Sequence, residues 1–162
     1  MMRIKTKPFG EVEVDSDSII HIDEGLIGFE KTKRYVLLDM KDEDIPFKWL
    51  QAVDNPNLAF VVIPPNYFRS DYRLEVEKDE LASIGLEDTN KAISLAIVVI
   101  PEGRPEQMTA NLLSPIVVNP DNKRGKQMIS KNPRYGVRHY ILKELQSHLT
   151  DKNKEVEDAG LG

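Results

Sequence analysis

The chain has 162 residues, 40% hydrophobic and 30% charged, with a formal net charge of −5 and no cysteine. That length suits one domain of ordinary globular composition, and the missing cysteines exclude a disulfide framework, a thiolate zinc site, a Cys nucleophile and an iron–sulfur cluster. No run approaches the ~20 apolar residues of a membrane span, and the opening MMRIKTKPFG lacks the apolar core of a signal peptide, which points to a cytoplasmic protein.

Arg3–Lys7 and Glu11–Asp15 alternate polar and apolar residues around Pro8-Phe9-Gly10, the pattern of a half-buried hairpin. Ser18–Ile22 reads as a short strand, and Gly25 and Gly28 permit a tight bend before the strand Tyr35–Met40. An acidic loop, Lys41-Asp42-Glu43-Asp44, leads to Phe47-Lys48-Trp49-Leu50-Gln51, and Leu58–Ile63 reads as a central strand stopped by Pro64-Pro65. Tyr72–Val76 is expected as another strand. Lys78–Leu86 is expected as a helix, capped by Asp79 and ended at Gly85.

Ala92–Ile100 is the strongest strand signal and closes at Pro101. Met108–Leu113 and Ile116–Asn119 follow on either side of Pro115, then a loop at Asn119–Gly125 and a strand at Lys126–Ser130. Val137, Tyr140, Ile141, Leu145 and Leu149 recur at helical spacing, which predicts an amphipathic helix over Val137–Leu149. The acidic, polar segment 150–162 reads as a frayed tail. Short strands with turn signals every ~8–12 residues, and helices that do not alternate with them, imply one all-β domain over 1–149, a sandwich or a barrel of antiparallel strands.

Catalytic chemistry finds little support. His21, His139 and His148 form no metal-binding spacing. The carboxylate pairs lie in turns and at a helix start, where capping and solvation explain them. No phosphate-cradling glycine motif and no nucleophile elbow is present. The chain therefore reads as non-enzymatic, with no cofactor, metal or small-molecule substrate.

Charge is unevenly spread: residues 1–103 carry 12 Lys/Arg against 20 Asp/Glu, and 104–143 carry 8 against 2. Lys123, Arg124, Lys126, Lys131, Arg134 and Arg138, with Tyr135 and Tyr140 nearby, suggest a nucleic-acid-binding barrel as an alternative. A sequence pI of about 5.3 weighs against it. Phe47 and Trp49 at alternate positions read either as core on one strand face or as an apolar edge for a peptide.

Several ordered segments closely resemble the flagellar assembly factor FliW family. They are Gly25-Leu26-Ile27-Gly28-Phe29-Glu30, Pro46-Phe47-Lys48-Trp49-Leu50-Gln51, Asn55-Pro56-Asn57-Leu58-Ala59-Phe60, Asp71-Tyr72, the run Thr109 to Asn119, and Gly125-Lys126-Gln127-Met128-Ile129. Ala52 and Ser114 depart from the family's usual Ser and Ala. The short internal helix and the C-terminal helix rest on the residue pattern above, and nothing is carried over to the segment after residue 140. The resemblance implies a non-enzymatic protein with a β-barrel-like fold. It also implies two protein partners: flagellin, and the RNA-binding translational regulator CsrA, which the released protein binds so that repression of flagellin synthesis is relieved. On this reading Asp42, Glu43 and Asp44 are candidates to face CsrA by charge. Phe47, Trp49, Gln51, Asn55, Phe60 and Asn111 are the other candidate contacts, with a helical flagellin segment expected near Trp49 and Phe60.

Overall fold

The computed structural model describes residues 1–40 and 45–147. The strands are β1 (Met2–Thr6), β2 (Gly10–Val14), β3 (Ile20–His21), β4 (Arg34–Asp39), β5 (Lys48–Ala52), β6 (Ala59–Ile63), β7 (Ile93–Val99), β8 (Thr109–Asn119), β9 (Arg124–Gln127) and β10 (His139–Tyr140). The helices are α1 (Lys78–Ser83) and α2 (residues 141–147). Among the described residues, seven strands close a barrel in the order β8-β7-β6-β5-β4-β3-β9, with β9 returning to β8. Closure pairs the two outermost strands of that order with their neighbours and so removes most of the free edge that would otherwise invite pairing with another chain.

The expected all-antiparallel arrangement holds except at β3–β9, which run parallel through His21 and Arg124. The β1–β2 hairpin forms a separate two-stranded sheet.

Side chains alternate across each strand, so every barrel strand has an inner and an outer set. Ile20, Tyr35, Leu50, Ala52, Val62, Leu95, Ile116 and Val118 share one buried cluster, the barrel interior, with Leu26 packed into it from the loop after β3. The outer sets are covered too. The hairpin residues Ile4 and Val14 lie on Val36 and Val53, and α1 places Leu81 and Ile84 on Val117 and Met128. The segment 64–76 brings Phe68 and Tyr72 onto Ile63, Ala96, Val98 and Leu112, and Tyr135 and Ile141 join them there.

Several expected boundaries shift for physical reasons. Residues 72–76 form no strand and have no ladder partner; Tyr72 and Leu74 instead pack on the outer core as cover. Part of the expected Ser18–Ile22 strand is a 3-10 turn, Ser16–Ser18, which the Asp15 side chain caps by accepting from Asp17 N–H. The N-cap of α1 is Glu77, not Asp79, and no side chain caps that end.

Pro115 does not separate two strands. β8 runs through it by a wide bulge in which five residue steps, Asn111 to Ile116, face two on β7, Ile97 to Leu95. A proline, which cannot donate to a ladder, is tolerated at such a bulge. The strand expected at Lys126–Ser130 is β9, Arg124–Gln127. The helix expected from Val137 begins only at residue 141, and His139–Tyr140 pair with Ala110 and Thr109 of β8.

Tyr72 is buried, and that burial pushes its hydroxyl up from 10.0 to about 12. A raised folded value stabilises fully below pH 10 and is lost as pH climbs toward 12. Alkaline titration should therefore cost roughly 2 kcal/mol across that window. In Tyr72→Phe this loss should shrink, read by denaturant melts at pH 9 and pH 12.

Candidate functional site

The outer edge of β8 is shared between two strands. β9 pairs along Ile116–Asn119, whereas β10 pairs along Thr109–Ala110, and the bulge lies between. Where β10 replaces β9 the barrel no longer closes, so the inner face of β7 continues into solvent. Ile97 opposes Asn111, Val99 opposes Thr109, and Thr109 opposes Tyr140, which sets Ile97, Val99, Thr109, Asn111 and Tyr140 on one surface.

That surface floors an open groove of about 680 Å³, bordered by Ile27, Pro101, Gln107, Ser114, Gln127, Val137 and Arg138. Ile27 is 63% exposed, Val99 61%, Val137 54% and Tyr140 48%. An apolar cluster left in water on a regular sheet face marks an interaction site.

The groove is braced by amides. Gln127 accepts from Ile27 N–H at 2.9 Å through Oε1 and donates to Ser114 O at 3.1 Å through Nε2, tying the loop 25–30 to the bulge. Asn111 Oδ1 accepts from the N–H groups of Leu113 and Ser114, both at 3.0 Å, so its amide nitrogen is the polar group it offers the groove. Gly28 N–H donates to Glu30 Oε1 at 3.1 Å, and this bond holds the Glu30 carboxyl below its usual range.

The opposite wall rests on a polar cluster absent from the sequence expectations. His139 Nε2 accepts from Gly136 N–H at 2.8 Å, so the proton sits on Nδ1 and is donated to Glu144 Oε2 at 3.0 Å. Glu144 also pairs with Arg69 Nη1 at 2.9 Å, and the Arg69 guanidinium lies 5.5 Å from the Tyr135 ring centre. Burial alone would lower the Arg69 pKa, but its bonds to Asp71 and Glu144 outweigh that and raise it. Gly136 O in turn accepts from Leu112 and Leu113 N–H in the bulge. Glu144→Gln should cost roughly 1–2 kcal/mol by weakening the charged bonds, and the amide resonances of Val137–Tyr140 should broaden or shift in NMR spectra.

The candidates from sequence scatter over the fold. Asn111 lies in the groove. Phe47 is buried in the outer core and Gln51 is fully buried, so neither is free to touch a partner in this fold. Trp49 opposes Val61 while Phe60 opposes Leu50, which puts Trp49 and Phe60 on opposite faces of the β5–β6 ladder. The single apolar surface expected around those two aromatics therefore does not form. Trp49 packs edge-on to Phe9 at 6.3 Å, and Phe60 to Phe29 at 5.2 Å. Asn55 is exposed, its Oδ1 accepting from Asn57 N–H in the β5–β6 turn. Asp42, Glu43 and Asp44 lie outside the described residues, as does the tail 150–162.

Three of the six basic residues in the stretch 123–138, Arg124, Lys126 and Lys131, are paired. Lys126 sits 2.9 Å from Glu80 and 3.2 Å from Glu24, and these bonds, Glu80 first, raise its pKa. Arg124 meets Asp23 and Lys131 meets Glu77, each at 3.5 Å. Tyr135, an expected stacking residue, is buried. Those pairings set carboxylates beside half of the cations that a phosphate would need. Among the described residues, no three His, Asp or Glu side chains gather as a metal site.

A family model described as "FliW protein" matches residues 3–141. The flagellar assembly factor FliW of Caldanaerobacter subterraneus is 42% identical over 146 residues, covering 90% of this chain and 97% of that protein. The protein of the same name in Leptospira interrogans is 41% identical over 141 residues, covering 87% and 93% respectively. A solved structure described as the flagellar assembly factor FliW superposes with a TM-score of 0.78 at 30% identity, covering 86% of this chain and 96% of that one. With the barrel, the braced loop and the groove all inside the matched span, the chain belongs to the FliW family of flagellar assembly factors.

Proposed function

We propose that this chain is a non-catalytic partner switch in the cytoplasm: it binds flagellin, and once flagellin is exported it binds CsrA and relieves repression of flagellin translation. The family match over residues 3–141 carries this reading, since it contains every residue bordering the groove. An exposed apolar surface flanked by amides is the chemistry of a protein-docking site. CsrA must present cations to RNA, so Asp42, Glu43 and Asp44 stay its candidate contacts by charge complementarity.

Purified chain should form binary complexes with flagellin and with CsrA on size-exclusion chromatography, and added flagellin should lower CsrA capture. Val99→Asp, at an exposed position, should weaken binding of the partner that uses the groove by about tenfold or more. Reversing the charges of Asp42, Glu43 and Asp44 should weaken CsrA binding and flatten its salt dependence. If neither protein binds, the proposal fails. An RNA mobility shift by this chain alone would favour the nucleic-acid-binding alternative.

A further inference from the structure

The groove restricts what can fill it. Strand β7 is flanked by β6 and β8, and β8 by β7 on one side and by β9 and β10 on the other. In the bulge, Leu112 and Leu113 donate to Gly136 O, and Leu113 O accepts from Ser130 N–H. The outer edge of β10 is two residues long before α2 begins. Little free ladder edge therefore meets the groove, and an added strand would lay its own N–H and C=O groups on side chains that cannot pair them all. A segment covering Val99, Val137 and Tyr140 has to satisfy its backbone internally, and an α-helix does so.

Charge narrows the occupant further. In a chain of net charge −5, no carboxylate borders the groove; its one charged side chain is Arg138, which is exposed and forms no ion pair among the described residues. Gln107, Thr109 and Asn111 supply neutral polar contacts.

We infer that the groove docks an amphipathic α-helix of a partner protein, its apolar stripe on Ile97, Val99, Val137 and Tyr140 and an Asp or Glu on its flank meeting Arg138. Arg138 is then the residue that selects acidic helices over basic ones. The inference rests on the reading of the groove as a docking face and adds the shape and charge of what docks.

Three labelled synthetic peptides of about 18 residues, five helical turns, test it. One carries leucines at i, i+3, i+4 and i+7 with flanking glutamates. The second replaces those glutamates with lysines. The third keeps the composition of the first but alternates apolar and polar residues as a strand would.

Fluorescence anisotropy should show the glutamate helix binding about tenfold or more tightly than either of the others. Amide shifts in NMR spectra should map to Val99, Asn111 and Val137–Tyr140. Arg138→Glu, at an exposed position and checked by circular dichroism, should reverse the preference between glutamate and lysine helices. Equal binding of those two, a win for the alternating peptide, shifts mapping elsewhere, or no binding at millimolar peptide each overturns the inference. Any of these with flagellin and CsrA binding intact leaves the partner-switch reading standing; loss of both protein partners in the unmodified chain defeats that reading instead.

Discussion

Gly25→Ala is expected to lower stability by about 3–4 kcal/mol, measured by urea denaturation, and to disorder one wall of the groove. Two effects add. Gly25 has φ +69°, which costs an L-residue ~1–2 kcal/mol. A β-carbon there would also sit 2.4 Å from Glu30 Cα and 2.7 Å from its carbonyl atoms, so backbone rather than a flexible side chain must move. The loop has no slack, because Gly25 N–H donates to Ile22 O and Phe29 N–H to Leu26 O while Leu26 is buried against the barrel interior. Moving Glu30 therefore strains the seat of Leu26 and the Ile27–Gln127 bond together. Gly28 is the control. Its φ is +89° but nothing lies within 4 Å of a built β-carbon, so Gly28→Ala should cost only ~1–2 kcal/mol. Equal losses at the two sites would mean that the close approach to Glu30 contributes nothing.

The same loop shows what was legible in the sequence and what was not. Gly25 and Gly28 announce a bend by composition, and the structure makes one, with Leu26 bridged to Phe29. The hairpin and the strands around Leu50, Val62 and Leu95 are legible because alternation and turn residues are local properties. Boundaries failed where tertiary context decides. Residues 72–76 have strand-like composition because they must be apolar to cover β6–β8, yet they find no ladder. Tyr140 falls at helical spacing with Ile141 and Leu145, but pairing with Thr109 draws it into a strand. The groove itself is a fact of cross-strand register: Val99, Asn111 and Tyr140 are neighbours only because of a bulge at Leu112–Pro115 and the two strands sharing one edge of β8. A parallel contact between His21 and Arg124, a hundred residues apart in sequence, has no local signature at all. The motif residues Phe47 and Gln51 stand out in the sequence and are both buried, which fits a part in the core as well as it fits a partner site.

Gln51 supports the most discriminating experiment on that point. Its Nε2 lies 3.1 Å from each of three carbonyl oxygens, those of Ala52, Asn55 and Leu58, and so pins the β5–β6 turn from within. Two amide hydrogens serve three acceptors, so at least one is shared. The Oε1 has no partner among the described residues. Gln51→Leu should lose about 2–3 kcal/mol, because the carbonyls forfeit their shared donor. Gln51→Glu should lose more at neutral pH, about 4 kcal/mol, since a buried carboxylate would face three carbonyl oxygens with nothing to offset its charge. The pH dependence follows from the sign of that penalty. Burial would raise the introduced carboxyl above its unfolded value of ~4.3, so its charge penalty is absent below that pH and grows as pH rises through the folded value. The deficit relative to the parent should thus shrink between neutral pH and pH 4, as the protonated acid donates one hydrogen bond. If the proposed partner switch holds, the flagellin and CsrA affinities of the folded fraction should stay unchanged in Gln51→Leu. An affinity loss with unaltered stability would instead return Gln51 to the partner surface.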